Sequence, residues 1–225
     1  WLLFKKKNKL SFFRYGRKKW IIKECRDKKF WYMEFNLGIL ISGDGSNMKN
    51  IIDACKNKII QSKVRIVVSD NPLAKGLSRA KRENIKSVLI DRDKFKDVES
   101  FENAILKKLE IAQVNLLCLA GFMRILSKNF LKKWDHKIIN IHPSLLPAFK
   151  GLNTHKRALE SGVSYSGCTI HYVNEKVDNG KIIKQKSVRI LDSDDENSLK
   201  KKILMEEHKL YISVLKDFEK NLNGK

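Results

Sequence analysis

From residue 35 onward the apolar residues fall into two alternating rhythms. "NLGILIS" (36–42), "KVRIVVS" (63–69), "SVLI" (87–90) and "VNLLCLAG" (114–121) are short, nearly unbroken apolar runs. That is the pattern of strands buried on both faces. Between them the period lengthens to that of a helix. It runs over 47–58 through Met48, Ile51, Ile52 and Cys55, over Ala74–Arg82, and over 97–112 with Val98, Phe101, Ile105 and Leu109 on one side. "KIINIH" (137–142) reads as a fifth strand. Strands that alternate with helices call for a parallel sheet with right-handed crossovers. After a looser stretch, "GCTIHYV" (167–173) and "GKIIKQKSVRI" (180–190) alternate as antiparallel strands do, and a long helix is expected over Glu196–Phe218, with Asp192, Ser193 and Asp194 as capping candidates. The expected fold is α/β: a Rossmann-like, mostly parallel twisted sheet flanked by helices, with antiparallel strands and a long helix at its C-terminal end. One domain over 35–225 accommodates it.

Residues 1–34 share neither rhythm. They mix aromatics with lysine clusters and hold 12 Lys/Arg against 3 Asp/Glu. They read as a basic N-terminal extension, non-native or disordered, with Met33 as the natural start. The whole chain has a formal charge of +22, from 47 Lys/Arg and 25 Asp/Glu. Such a charge invites a nucleic-acid partner. Outside the first 34 residues, however, the lysines are spread over helix faces rather than gathered in a stripe, so a basic surface without a nucleic-acid role is expected. Cys25, Cys55, Cys118 and Cys168 form no C-x-x-C pair and fit reduced thiols. No run of about 18 apolar residues suggests a membrane helix. A cytoplasmic protein, monomer or homodimer, is expected.

In sheets of this kind ligands collect at the carboxyl ends of the strands, which places three loops under suspicion. "SGDGSN" (42–47) sits between a strand and a helix. Gly43 and Gly45 permit a sharp turn, and the open N–H groups at the helix start suit a single phosphate. A tight turn with a Ser46 or Asn47 cap explains the same residues. The loop has neither G-x-G-x-x-G nor G-K-[ST] spacing. In "KIINIHPSLLP", Asn140 and His142 are two apart and therefore face the same side of the strand. A carboxylate candidate, Asp178, follows in "NEKVDNG" (174–180). A carboxamide for an oxyanion, an imidazole to move protons and a carboxylate to keep it charged form an acyl-transfer set. A strand-end histidine satisfied by a carbonyl is the plainer alternative. No activated Ser or Cys nucleophile is evident, and the histidines at 142, 155, 171 and 208 lack H-E-x-x-H spacing, so no metal is expected. "AGFMRIL" (120–126) sets apolar residues just past a strand end, either for core packing or, with Met123, Ile125 and Leu126, as a slot for a flat heterocycle.

Taken in order, "SGDGSN", "LAGFMRIL", "NIHPSLLPAFKG", "TH" at 154–155, "GCTIHYV", "VDNG" and "EEHKLY" resemble the glycinamide ribonucleotide transformylase family over about residues 36–215. The resemblance implies an enzyme of purine biosynthesis that moves the formyl group of 10-formyltetrahydrofolate, its co-substrate, to the amino group of glycinamide ribonucleotide. It implies that Asn140, His142 and Asp178 are catalytic and that Gly45, Ser46, Asn47 and Glu207 bind the ribonucleotide. It further implies a folate pocket of Met123, Arg124, Ile125 and Leu126, together with Asn140 and the loop Asn174, Glu175, Lys176, Val177 and Asp178. The segment 144–155 is expected to fold over the folate.

Three positions depart from the family pattern: Asn179 where a second glycine is common, Asp44 where asparagine is common, and Val98 where some members have a folate-contacting arginine. Two related readings are a methionyl-tRNA formyltransferase, which would need a further C-terminal domain, and a formyltetrahydrofolate deformylase, which would carry an N-terminal regulatory domain. A nucleic-acid-binding protein using the basic segment is the non-enzyme reading.

Overall fold

The computed structural model describes residues 12–15, 18–21, 35–134 and 137–223. The chain divides into two units, Trp1–Tyr32 and Met33–Lys225. In the first, β1 (Phe12–Tyr15) pairs antiparallel with β2 (Lys18–Ile21). The expectation of a non-native or disordered N-terminal extension falls mostly on residues outside the described ones. The expectation that Met33 begins the natural chain falls outside the described residues.

The second unit follows the alternation of strand and helix. Its elements are β3 (Asn36–Ile41), α1 (Ser46–Lys56), β4 (Lys63–Ser69), α2 (Lys75–Arg82), β5 (Ser87–Leu89), α3 (Val98–Ile111), β6 (Leu116–Leu119), α4 (Lys128–Lys133), β7 (Lys137–His142), α5 (Thr154–Glu160), β8 (Tyr165–Tyr172), β9 (Ile182–Arg189) and α6 (Glu196–Asn223). The strands form one sheet in the order β5-β4-β3-β6-β7-β8-β9. The first five are parallel; β8 and β9 are antiparallel to their neighbours.

Packing explains the rhythms. In β3, Leu37, Ile39 and Ile41 join the core under α1 and α6, while Leu40 joins the core under α3 and α4. Both faces are covered, so the strand reads as a continuous apolar run rather than an alternating one. Each fully buried Leu or Ile of these cores contributes roughly 2 kcal/mol of hydrophobic stabilisation. Two short helices, α4 and α5, were not anticipated. The first is ordered by its tertiary setting: Ser127 caps it, and the buried carboxylate of Glu102 on α3 accepts both the Ser127 N–H and its hydroxyl. The cap of α6 is Asp195 rather than Asp192, Ser193 or Asp194. Its Oδ1 accepts Ser198 N–H at 2.7 Å, and Ser198 Oγ accepts Asp195 N–H at 3.0 Å. Asp194 instead pairs with Lys202 at 2.6 Å.

From β3 the chain steps outward to β4 and β5, then crosses back to lay β6 on the other side of β3. In sheets of this kind the ligand crevice lies at such a reversal, at the carboxyl ends of the central strands. All the loops singled out above open there or immediately beside it. Among the described residues, no helix is long and apolar enough to cross a membrane, and no group of three His, Cys, Asp or Glu could hold a metal ion. Cys55, Cys118 and Cys168 are free, with thiols pushed up to about 12 by burial.

Candidate active site

Asn140 and His142 leave β7 on the same face, and antiparallel pairing with β8 sets His171 opposite Asn140 and Thr169 opposite His142. His171 Nδ1 lies 2.9 Å from the Tyr172 carbonyl, which only accepts, so that nitrogen carries a proton. In the neutral ring Nε2 then accepts from Asn140 Nδ2 at 3.2 Å. One amide hydrogen of Asn140 is thereby committed and the other remains for a ligand.

Asp178 comes from the loop after β8, 36 positions beyond His142 in sequence. Its backbone is left-handed, with φ of 46°. The left-handed residue is therefore the aspartate itself and not Asn179. Gly180 makes the turn possible: a Cβ there would lie 1.5 Å from the Tyr172 carbonyl oxygen. Asp178 Oδ2 sits 3.2 Å from His142 Nδ1 and accepts Gly151 N–H at 2.9 Å, while Oδ1 is 3.6 Å from His171 Nε2. Burial opposes ionisation of Asp178, yet His171, the Gly151 N–H and His142 together hold its carboxyl below the usual range.

His142 is 5% exposed, with an acceptor at each ring nitrogen: Asp178 at Nδ1 and the Phe149 carbonyl, 2.9 Å away, at Nε2. Two acceptors suit the doubly protonated ring. Burial works the other way and is the stronger influence, lowering the histidine's pKa while Phe149 and Asp178 pull it back. The loop that brings Phe149 here is firmly held. Thr169 Oγ1 donates to Ser144 O at 2.7 Å and accepts Leu146 N–H at 3.1 Å; Gln185 Nε2 donates to Leu146 O at 2.8 Å. Lys150 is bonded to Asn179, and Arg157 of α5 donates to Lys150 O at 2.6 Å. The segment 144–153 thus lies against the His142–Asp178 pair.

The loop after β3 ends at Gly45, left-handed at φ 70°, where a Cβ would meet the Gly76 backbone at 3.1 Å. Neither Ser46 nor Asn47 caps α1: Gly45 occupies the cap position and no side-chain bond closes it. The first-turn N–H groups therefore remain open, as an anion requires. Asp44 is exposed at the rim. Asn47 is turned inward, donating from Nδ2 to Glu207 Oε2 of α6 at 2.7 Å, and its Oδ1 is buried without a partner. Burial raises Glu207 to about 7, against the pull of Asn47 and Lys200.

The loop after β6 divides its apolar residues. Met123 and Ile125 are 68% and 67% exposed at the crevice, while Leu126 is buried in the core beneath α3 and α4. Its side chain therefore serves packing, and only its backbone is available to a ligand. Asn174, Glu175, Lys176 and Val177 form an exposed turn braced from within, Asn174 donating to Asn179 O at 3.0 Å and accepting Lys176 N–H at 3.0 Å. Glu175 reaches Lys128 of α4 at 3.5 Å, which ties this turn to the end of the 121–127 loop. Val98, exposed at the start of α3, supplies no charge.

Sequence reasoning had not singled out His171, Thr169, Gln185 or Asp70. His171 and Thr169 carried a usable signal, as polar residues two apart in the apolar run "GCTIHYV". The others matter through register and long-range contact.

The sequence profile of the family described as formyl transferase matches residues 35–215. The Trifunctional purine biosynthetic protein adenosine-3 of Homo sapiens is 42% identical over 179 residues, which are 80% of this chain but 18% of that protein. This chain therefore spans under a fifth of that relative's length. The phosphoribosylglycinamide formyltransferase of Haemophilus influenzae is 40% identical over 182 residues, covering 81% of this chain and 86% of the relative. Among solved structures, glycinamide ribonucleotide transformylase 1 from Symbiobacterium toebii superposes with a TM-score of 0.81 at 39% identity, covering 84% of this chain and 89% of its own. The whole seven-stranded sheet, and with it every strand-end loop described above, falls inside the family match, so the chain belongs to the formyl transferase family.

Proposed function

We propose that the protein transfers the formyl group of 10-formyltetrahydrofolate to the amino group of glycinamide ribonucleotide, giving formylglycinamide ribonucleotide and tetrahydrofolate. The observation that carries this reading is the His142–Asp178 pair at the end of β7, with Asn140 on the same face. No nucleophilic side chain is needed. The substrate amine attacks the formyl carbon, the C–N bond to the folate breaks, and the proton lost by the amine ends on the folate nitrogen.

Each part of the crevice suits one portion of that reaction. The free amide hydrogen of Asn140 and an N–H of His142 face the developing oxyanion, a role worth several kcal/mol in a site sheltered from water. Asp178 favours the charged imidazole and fixes its orientation. In the structure Nε2 of His142 is engaged by Phe149 O. For that N–H to serve the formyl oxygen, the oxygen takes the place of the carbonyl, so the 144–153 segment shifts as substrate enters. The open first turn of α1 receives the ribonucleotide phosphate, with Glu207 and Asn47 Oδ1 at its side. Met123, Ile125 and the turn at 174–177 flank the heterocycle, whose polar edge meets backbone groups of 121–126.

A spectrophotometric assay of folate product tests the reading. Product that depends on glycinamide ribonucleotide, and is lost in His142→Ala, is expected. Product without the ribonucleotide would replace the transferase with a deformylase.

A further inference from the structure

At the reversal between β3, β4 and β6 lies a buried carboxylate with no assigned task. Asp70 follows the last residue of β4 and is 4% exposed. Its Oδ1 accepts the Ser42 hydroxyl at 2.6 Å and its Oδ2 accepts Arg124 Nε–H at 2.8 Å. With its hydrogen given to Asp70, Ser42 Oγ accepts the Met123 N–H at 2.8 Å, and Ser42 N–H donates to Gly121 O at 3.0 Å. Asn71 Nδ2 holds the Ser42 carbonyl at 2.9 Å. One carboxylate therefore governs three points of the loop after β6: the Gly121 carbonyl and Met123 amide through Ser42, and the Arg124 side chain directly. Arg124 is half-exposed, so its side chain is open to solvent beyond the Nε that Asp70 holds.

We propose that Asp70 is a positioning residue for folate recognition. It fixes the Met123 amide and the direction of Arg124, so that loop 121–126 presents a preset edge to the heterocycle between the exposed Met123 and Ile125. The proposal rests on reading that loop as the folate pocket. The arrangement is selective in reach. The far end of the loop is held independently by Glu102 at Ser127, and on the ribonucleotide side the Ser42 backbone keeps its bonds to Asn71 and Gly121 while Gly45 shapes the phosphate turn. Removing the charge at position 70 therefore loosens one subsite and spares the other.

Asp70→Asn replaces the charged acceptor of the Ser42 hydroxyl with a weaker neutral one and sets an amide hydrogen against Arg124 Nε–H. Three measurements on the full chain test it. Calorimetric titration with 10-formyl-5,8-dideazafolate is expected to show affinity reduced about tenfold, while that for glycinamide ribonucleotide stays within about twofold. Amide hydrogen exchange is expected to quicken at Met123 and not at Ser127. In a double-mutant cycle, Asp70→Asn/Arg124→Gln is expected to bind the folate analogue no worse than either single variant. Unchanged exchange at Met123, an equal loss of both ligands, or additive effects in the cycle would each overturn the proposal. If the unsubstituted chain binds no folate analogue, the proposed function falls. The exchange arm, which needs no ligand, then still decides whether Asp70 holds the loop.

Discussion

Glu207 offers a sharp test of the site's electrostatics. It is 7% exposed, and burial raises its pKa from 4.5 to about 7 although Asn47 donates to it at 2.7 Å. Below about pH 4.5 the carboxyl is neutral in both folded and unfolded chains and imposes no penalty. Between about 4.5 and 7 the unfolded chain releases the proton while the folded chain keeps it, so stability falls as pH rises; above 7 the loss is complete and constant. A rise of about 2.5 in pKa, at ~1.36 kcal/mol each, makes that loss about 3 kcal/mol. Glu207→Gln retains an oxygen for Asn47 and has no proton to release. Urea unfolding is expected to show the variant within about 1 kcal/mol of the parent at pH 4.5 and about 3 kcal/mol more stable at pH 8.5. A constant difference between the two proteins across this range would refute the assignment of the cost to a buried charge. If Glu207 serves the ribonucleotide, the same stabilised variant binds it more weakly at pH 8.5, by about tenfold in calorimetry.

Other substitutions probe the remaining contacts. His142→Ala is expected to lower kcat by about 100- to 10,000-fold, measured in the folate-product assay. Asp178→Asn removes the charge that pulls the His142 pKa upward. Activity that requires the protonated ring is then expected to fall away at lower pH than in the parent, and an unmoved pH profile would separate Asp178 from His142. Gly180→Ala sets a Cβ into the Tyr172 carbonyl. It is expected to destabilise the chain by about 2–4 kcal/mol in urea titrations and to reduce turnover as Asp178 is displaced.

The alternation of apolar runs and helical periods was enough to place the five parallel strands within a few residues, because β3, β4, β6 and β7 bury apolar residues on both faces; β5, at the sheet edge, leaves Leu89 exposed. The spacing of Asn140 and His142 was equally decisive: a period of two puts both on one face in any register. Where the sequence fell short, the deciding contacts were distant. Helix α4 needs Glu102 from α3, and Asp178 reaches His142 from the loop after β8.

The sequence by itself determined an α/β sheet, the loops at its carboxyl edge and, through family resemblance, the chemistry expected there. Only the tertiary structure decided which groups meet. Pairing of β8 with β7 brings His171 to Asn140; a left-handed Asp178, permitted by the absence of a side chain at Gly180, reaches His142; and Asp70 binds two loops more than fifty residues apart in the chain. Local preference is set by neighbours along the chain. Register, burial of charge and the sharing of one carboxylate among several donors are set by neighbours in space, and these fix the electrostatics of the site.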